Sequence, residues 1–351
     1  MTRRTIANMS PNMNRDQTIA RTSQRQWTIA GQPRGRALLE SDFALAETPL
    51  APLTNGEARV QTQYLGFDPS QKGQMENIGY AATTRMGQVM AARGIGTVVE
   101  SRSPDLPVGA RVIGMLGWQE FATVTPAAVN VLPDDELLTA HLGPLGGTGL
   151  TAYFGLIRHG RPEPGDTLVV SGAAGATGSV VGQLGKLMGC RVIGIAGGAD
   201  KCAWLTDELG FDAAIDYRND SVKQRLKETC PDGVNVFFDN VGGAILNDVL
   251  ARIALHARVV ICGGISRYQA DTLPPGPANY MNLVFQRATM EGFLMTDYMQ
   301  EAPTALARLS GWIRSGQLRY REDVQHGFEN IPRTLLRLFN GENFGKQLLR
   351  V

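Results

Sequence analysis

The sequence predicts an α/β chain in two parts, a doubly wound parallel sheet and a smaller strand-rich domain. Three observations carry this expectation. Beyond residue 141, apolar runs of strand length alternate with helical stretches of about ten residues. One of those strands runs directly into a glycine-rich turn and a helix, the local signature of a βαβ unit. Ahead of residue 141 the apolar runs are brief, β-rich and bounded by Gly, Pro or Ser.

Residues 1–26, MTRRTIANMSPNMNRDQTIARTSQRQ, hold five arginines and one acid among many Ser, Thr and Asn. Such a composition is shared by transit peptides and by mobile arms, and the segment is assigned here as a mobile N-terminal arm without function. An over-long start, with Met13 as the true one, is an equal reading. Residues 27–140 supply the strand-rich domain through EARVQTQYLGFDPS, GIGTVVES, GARVIGML and EFATV. From 141 to 314 the order is TLVVSG, the helical SVVGQLGKLMG, RVIGIAG, the helical KCAWLTDELG, AAIDY, the helical SVKQRLKETC, VNVFFDN, the helical AILNDVLARI, RVVICGG and TMEGFLM. Strands joined by helices of that length imply crossovers and a parallel sheet. The tail 315–351 returns to the character of the first domain, so the chain is expected to pass back into it.

Composition narrows the partners. A chain of 351 residues, 43% hydrophobic and 19% charged, can bury more than one core. Its formal net charge of +1 gives no bulk field to recruit nucleic acid or anionic lipid. No window approaches the roughly 18 uninterrupted apolar residues of a membrane span. Cys190, Cys202, Cys230 and Cys262 form no CxxC pair and read as reduced thiols of a cytoplasmic protein. Residues 1–140 hold no cysteine or histidine, and His141, His159, His256 and His326 are isolated, so no zinc site is expected.

The glycine turn is the sharpest motif. After TLVVS comes Gly172-Ala173-Ala174-Gly175-Ala176-Thr177-Gly178, in which Ala173, Gly175 and Gly178 align with the Rossmann dinucleotide fingerprint G-x-G-x-x-G. Gly175 would let backbone approach a pyrophosphate at the positive end of the next helix, and Gly178 would let that helix pack closely. The second strand, RVIGIA, ends in Gly197-Gly198 where an NAD-type unit commonly carries an acid. An acid there would repel a 2′-phosphate, whereas glycines leave room and Lys201 can supply a cation, so the expected cofactor is NADPH/NADP. Tyr217 and Arg218 follow the third strand, where a phenol could stack or hydrogen-bond at the adenosine end. Asp200 remains as a competing ribose ligand at the expected helix N-cap.

Several stretches together, GWQEFATV, GGTGLTAYFGL, VVSGAAGATGSVVGQLGKLMGCRVIGIAGG, KCAWLTDELGFDAAIDYR, FFDNVGG, CGGIS, GPANY and GENFGK, closely resemble the zinc-free medium-chain dehydrogenase/reductases. The similarity is to the branch of prostaglandin reductase, leukotriene B4 12-hydroxydehydrogenase and bacterial curcumin reductase, and covers roughly residues 27–351. It implies a GroES-like barrel beside a Rossmann domain, a homodimer, and NADPH-dependent reduction of the carbon–carbon double bond of α,β-unsaturated ketones and aldehydes. By the same resemblance Lys201 and Tyr217 match 2′-phosphate contacts, and Ala174, Gly175, Ala176, Thr177 and Gly178 the pyrophosphate turn. Thr148, Gly197, Asn240, Cys262, Gly263, Ile265, Ser266 and Asn343 match positions along the cofactor cleft. Tyr268 matches a tyrosine near the nicotinamide, with Gln269 where the family usually has Asn. The segment YLGFDPSQKGQM departs from the family's Y-L-S-x-D-P-Y-M-R-G-R-M, so Ser70, Gln71 and Lys72 replace a Tyr-Met-Arg run beside the active-site cleft.

The expected chemistry is hydride transfer to the β-carbon of a small apolar enone or enal, without metal. The developing enolate would be stabilised by the cofactor's ribose hydroxyl and a tyrosine, as in an oxyanion hole. Tyr268 is the first candidate, with Tyr280 and Tyr64 behind it. Two alternatives stand beside this reading: an NADPH-dependent quinone reductase, and a non-catalytic NADPH-binding protein.

Overall fold

The computed structural model describes residues 22–77, 84–135, 137–272 and 274–351. Most of the expected arm, residues 1–21, lies outside the described residues, whereas Ser23–Gln26, counted with it, form the first four residues of the seven-residue first strand.

The N-terminal half is built from short antiparallel strands. β1 (Ser23–Ile29) pairs with β2 (Phe43–Pro49) as a two-stranded ribbon. β3 (Ala58–Gly66), β4 (Gly94–Ser101), β5 (Arg111–Gly114), β6 (Phe121–Val124) and β7 (Val129–Val131) form most of a seven-stranded sheet. A short helix, α1 (Ser70–Glu76), follows β3 in the segment that departs from the family pattern. Alternation along these strands buries Val60, Val98, Val112 and Ala122 in one cluster, and Phe43 of β2 packs with Phe67, Met90 and Trp118 of the connecting segments in another.

The second half alternates as the apolar pattern requires. α2 (Gly147–Phe154) leads to β8 (Thr167–Ser171), α3 (Ala176–Leu187), β9 (Arg191–Ala196), α4 (Ala199–Ala203) and β10 (Ala213–Asp216). Then follow α5 (Val222–Thr229), β11 (Val234–Asp239), α6 (Gly243–Leu250), β12 (Ile253–Ile261), α7 (Ile265–Tyr268), α8 (Asn282–Phe285) and β13 (Thr289–Gly292). All strands of this sheet are parallel, in the order β10-β9-β8-β11-β12-β13. The chain therefore steps outward on one side, returns beside β8, and steps outward on the other. Between β8 and β11 lies the switch point, where ligands bind outside the carboxyl ends of open α/β sheets.

Burial explains why the central strands carry no polar alternation. Every residue of β8 is buried, and β11 nearly so, because helices cover both faces. Leu150, Phe154, Val180 and Leu184 pack on one face and Val222, Leu226, Ile245 and Val249 on the other.

The chain then re-enters the first sheet. After α9 (Ala302–Arg314), β14 (Glu322–His326) and β15 (Lys346–Arg350) flank α10 (Ile331–Phe339), and β15 pairs antiparallel with β3. α10 buries Ile331, Leu335 and Leu338 against the cluster around Trp118.

The closeness of α3 to its neighbours gives a contrast that can be measured. A Cβ on Gly182 would stand 2.5 Å from Phe211 Cε2, whereas nothing lies within 4 Å of one on Gly311, inside α9. Gly182→Ala should destabilise the fold by about 1–3 kcal/mol through overpacking. Gly311→Ala should raise stability by up to about 1 kcal/mol from helix propensity; chemical denaturation of both variants compares them.

Candidate functional site

The glycine turn sits at the switch point. Gly172 adopts φ +58°, a conformation that disfavours any residue with a Cβ. Gly175 is the N-cap of α3, and no side chain caps that helix, so its first amides are left for an external anion. A Cβ on Gly178 would lie 2.8 Å from Ala173 Cα, which is the close helix-to-strand approach expected of this position. Ala174, Ala176 and Thr177 complete the turn. Its other wall comes from the C-terminal segment: Gly345 N–H donates to Ala174 O at 3.0 Å, and Gly345 bridges Gly175 in parallel fashion.

A fully buried carboxylate, which sequence reasoning missed, holds the strand ends together. Asp239 Oδ1 accepts from Ser171 Oγ (2.7 Å), Val241 N (3.0 Å) and Gly242 N (3.0 Å), and Oδ2 accepts from Gly242 N at 3.1 Å. Burial raises its pKa, and the bonds from Gly242, Ser171 and Val241 oppose the rise. Asn240, an expected cleft residue, turns its amide inward: Nδ2 donates to Ser171 O at 2.7 Å.

The nucleotide end gathers cations. Tyr217 lies against Gly197, where a Cβ would stand 2.8 Å from the ring Cε1 and 2.9 Å from Arg218 Nε. Lys201 Nζ donates to Gly341 O at 2.8 Å, and Arg218 Nη2 lies 3.5 Å from the same oxygen. Neither side chain forms an ion pair among the described residues. Burial lowers the Lys201 pKa, the nearby Arg218 charge lowers it further, and Asp323 acts the other way. Asp216, the acid ending β10, is engaged by Gly198 N–H (2.8 Å) and Arg218 N–H (3.1 Å). Asp200 is exposed in the first turn of α4, whose N-cap is Gly198. Asn343 braces the C-terminal loop by donating to Gly345 O at 3.0 Å. Arg218 is the residue that the sequence underweighted; its neighbour Tyr217 was the available signal.

The opposite end is shaped by the segment after β12. Cys262 and Gly263 donate to Asp239 O, Ile265 to Asn240 O, and Ser266 Oγ to Val241 O at 2.6 Å, so residues 262–266 wrap the β11–α6 turn. The Cys262 thiol is pushed up to about 12 by burial and the Asp239 charge, and so stays protonated. Tyr268 Oη accepts from Gly264 N at 3.5 Å, and among the described residues its own proton has no acceptor. A cavity of about 290 Å³ opens here, with Tyr268, Arg267, Gly263, Leu246 and the Pro274–Pro277 loop in its wall. Gln269 ties the segment to the strand-rich domain by accepting from Leu38 N at 3.0 Å. Thr148, in the first turn of α2, donates its hydroxyl to Gly143 O.

The structure does not group the three tyrosines. Tyr64 faces Arg350 across the β3–β15 pair and lines a separate cavity of about 360 Å³ with Thr62, Arg111 and Arg350. Tyr280 is 58% exposed and does not line the cavity beside Tyr268. The altered segment is structural: Lys72 is buried, with Nζ 2.7 Å from Glu76 Oε1 and 3.3 Å from Pro33 O, and Gln71 bonds Asp68 N and Ala91 O. Among the described residues no cluster of three or more His, Cys, Asp or Glu could hold a metal.

Comparison with known proteins agrees with this architecture. Residues 25–132 match the family described as the N-terminal domain of oxidoreductase, and residues 176–311 the family described as zinc-binding dehydrogenase. The chain is 37% identical to the NADPH-dependent curcumin reductase of Escherichia coli, covering 93% of this chain and 96% of that protein. It is 35% identical to the 2-alkenal reductase (NADP(+)-dependent) of Nicotiana tabacum, over 92% and 95% respectively. The crystal structure of CurA from Vibrio vulnificus in complex with NADPH superposes with a TM-score of 0.88 at 36% identity, covering 93% of this chain and 99% of that one.

Asp239 is the residue on which this geometry turns. Asp239→Ala would leave the Ser171 hydroxyl and two backbone N–H groups without an acceptor, at about 1–3 kcal/mol for each buried donor. A loss of at least about 3 kcal/mol in urea denaturation is expected, with a smaller loss for Asp239→Asn, which keeps one acceptor.

Proposed function

The chain belongs to the zinc-binding dehydrogenase family of medium-chain dehydrogenase/reductases and is an NADPH-dependent oxidoreductase, and from that premise we propose that it reduces the carbon–carbon double bond of α,β-unsaturated ketones or aldehydes. The observation that carries the reading is the phenol of Tyr268, which stands at a cavity beyond the strand ends with its own proton uncommitted. NADPH, when bound, supplies the hydride for the β-carbon and, from its ribose, a hydroxyl donor toward the enolate oxygen.

The residues fit that cofactor. The uncapped start of α3 and the glycine cradle suit a pyrophosphate. Lys201 and Arg218, cations that share one carbonyl and lack a carboxylate partner, suit a 2′-phosphate, with Tyr217 packed beside them. Gly197 keeps this seat free of a side chain, and Asp216 is spent on backbone amides and does not compete. At the reacting end, Tyr268 donates toward the carbonyl oxygen as negative charge develops there, then passes its proton toward the α-carbon and recovers it from water. The curcumin and 2-alkenal reductases support the acceptor class through what their names state.

We also propose a homodimer formed across β13. This edge strand is exposed at all four residues and carries neither Pro nor Lys to block pairing. Beside it, Tyr280, Met281, Val284 and Phe285 are all exposed. A second copy paired antiparallel about a two-fold axis would cover this face and join the two parallel sheets. The four free cysteines are in keeping with a cytoplasmic setting.

Turnover measured as loss of reduced-nicotinamide absorbance over enals, enones and quinones, with NADPH and with NADH, tests the reading; quinones alone being reduced would overturn it. Lys201→Ala should raise KM for NADPH by about ten-fold or more while leaving NADH little changed, as loss of a charge-assisted contact requires. The sign with pH follows from the lowered Lys201 pKa. A bound phosphate raises that pKa, so NADPH affinity is full below the free-protein value and declines as pH rises through it, a decline absent from Lys201→Ala. For the assembly, Phe285→Asp should shift the protein to a monomer in analytical ultracentrifugation.

A further inference from the structure

We infer that His159 and Glu291 together make the association of two copies across β13 pH-dependent, tight while the imidazole is protonated and weaker once it has lost the proton. The inference rests on the homodimer reading and names the regulation of that same surface.

His159 lies in the turn Gly155–Gly160 that follows α2, and Glu291 is the third residue of β13. The imidazole Nδ1 stands 2.5 Å from Glu291 Oε1, and Nε2 stands 2.8 Å from Tyr298 Oη. Phe293 stacks on the ring with centroids 5.0 Å apart, and the His159 side chain is 10% exposed against 46% for Glu291. This setting suits both protonation states. A neutral ring donates from Nδ1 to the carboxylate and accepts the Tyr298 hydroxyl at Nε2, whereas a protonated ring donates to both, because a phenol oxygen also accepts. A proton therefore comes and goes without leaving either ring nitrogen unpaired. What changes is charge: the protonated pair is neutral overall, and the deprotonated pair carries the carboxylate's negative charge.

That charge lies beside the two-fold axis of the proposed dimer. Antiparallel pairing of an edge strand with its own copy keeps each side chain on its own face of the joined sheet, so the axis passes through a residue position. In the four-residue β13 this puts either Met290 or Glu291 opposite its own copy. The two Glu291 side chains are then diagonal neighbours, with Cβ atoms about 7–8 Å apart, or direct ones at about 5 Å. Like charges so placed oppose pairing, and a proton on each His159 cancels them.

The other charges around the imidazole are of types that do not follow it. Arg158 pairs with Glu301, and Arg258, bonded to Gly160 O, pairs with Asp166. Arg161, Arg287 and Asp297 are exposed nearby in sequence. Among these side-chain types histidine is the one whose charge changes between about pH 5 and 8. His256, exposed on β12 with its N–H on Gln286 O, is the other histidine near the face and serves as the control.

The dimer dissociation constant is measured by sedimentation equilibrium of the full chain at pH 6 and pH 8, at one ionic strength. The wild type should associate about ten-fold more weakly at pH 8, the scale of one like-charge pair near a surface. Glu291→Gln should hold the wild type's pH 6 affinity at both values, and His159→Gln its pH 8 affinity at both. His256→Gln should keep the full dependence. A wild-type dimer indifferent to pH, a dependence that survives in Glu291→Gln, or one that vanishes in His256→Gln would overturn the inference while the dimer stands. A wild type that stays monomeric at both pH values overturns the dimer reading and the inference with it. Because Glu291 is half-exposed, its variant decides the matter even where His159→Gln fails to fold.

Discussion

The site depends on one buried carboxylate. Asp239 ends the strand that returns beside β8, and its oxygens gather a hydroxyl from β8 and two amides from the start of α6. Its backbone carbonyl receives Cys262 and Gly263, so the segment that carries Tyr268 is registered against the same residue. In a dry environment each of these donors needs its acceptor, and the result is a rigid platform at the point where the sheet reverses direction. The glycine turn on one side and the cavity beside Tyr268 on the other adjoin it.

The second determinant is a charge balance set by omission. β9 ends in glycine, and the acid that ends β10 is occupied by amides of Gly198 and Arg218. Lys201 and Arg218 therefore meet at the Gly341 carbonyl, and neither forms an ion pair among the described residues. Burial lowers the Lys201 pKa first and the neighbouring Arg218 charge lowers it further, so an anion beside the two would be favoured there.

The two halves of the chain meet through their last strand. β15 belongs to the seven-stranded sheet through β3, while the residue before it, Gly345, bonds the glycine turn. Lys346, buried, donates to Phe67 O at 3.0 Å and to Asp68 Oδ1 at 2.6 Å, joining the start of α1 to the same strand. Gln269, bonded to Leu38, makes a second tie next to Tyr268. The cleft is held from both sides by residues far apart in the chain.

Local pattern alone determined the parallel sheet, the glycine turn and the acid-free end of β9, because strand period, helix length and turn chemistry are properties of neighbours in sequence. The residues at those positions, Gly175, Gly178, Gly197 and Lys201, were legible for that reason. The family resemblance put Tyr268 ahead of Tyr280 and Tyr64; the tertiary structure added that Tyr268 lines the cavity beyond the strand ends, whereas Tyr64 lines a separate one and Tyr280 lines neither. It also decided that Lys72 is sequestered by Glu76 and that Asp239 anchors the platform. Burial and partnership across more than sixty residues, as between Ser171 and Asp239, leave no period in the sequence to read.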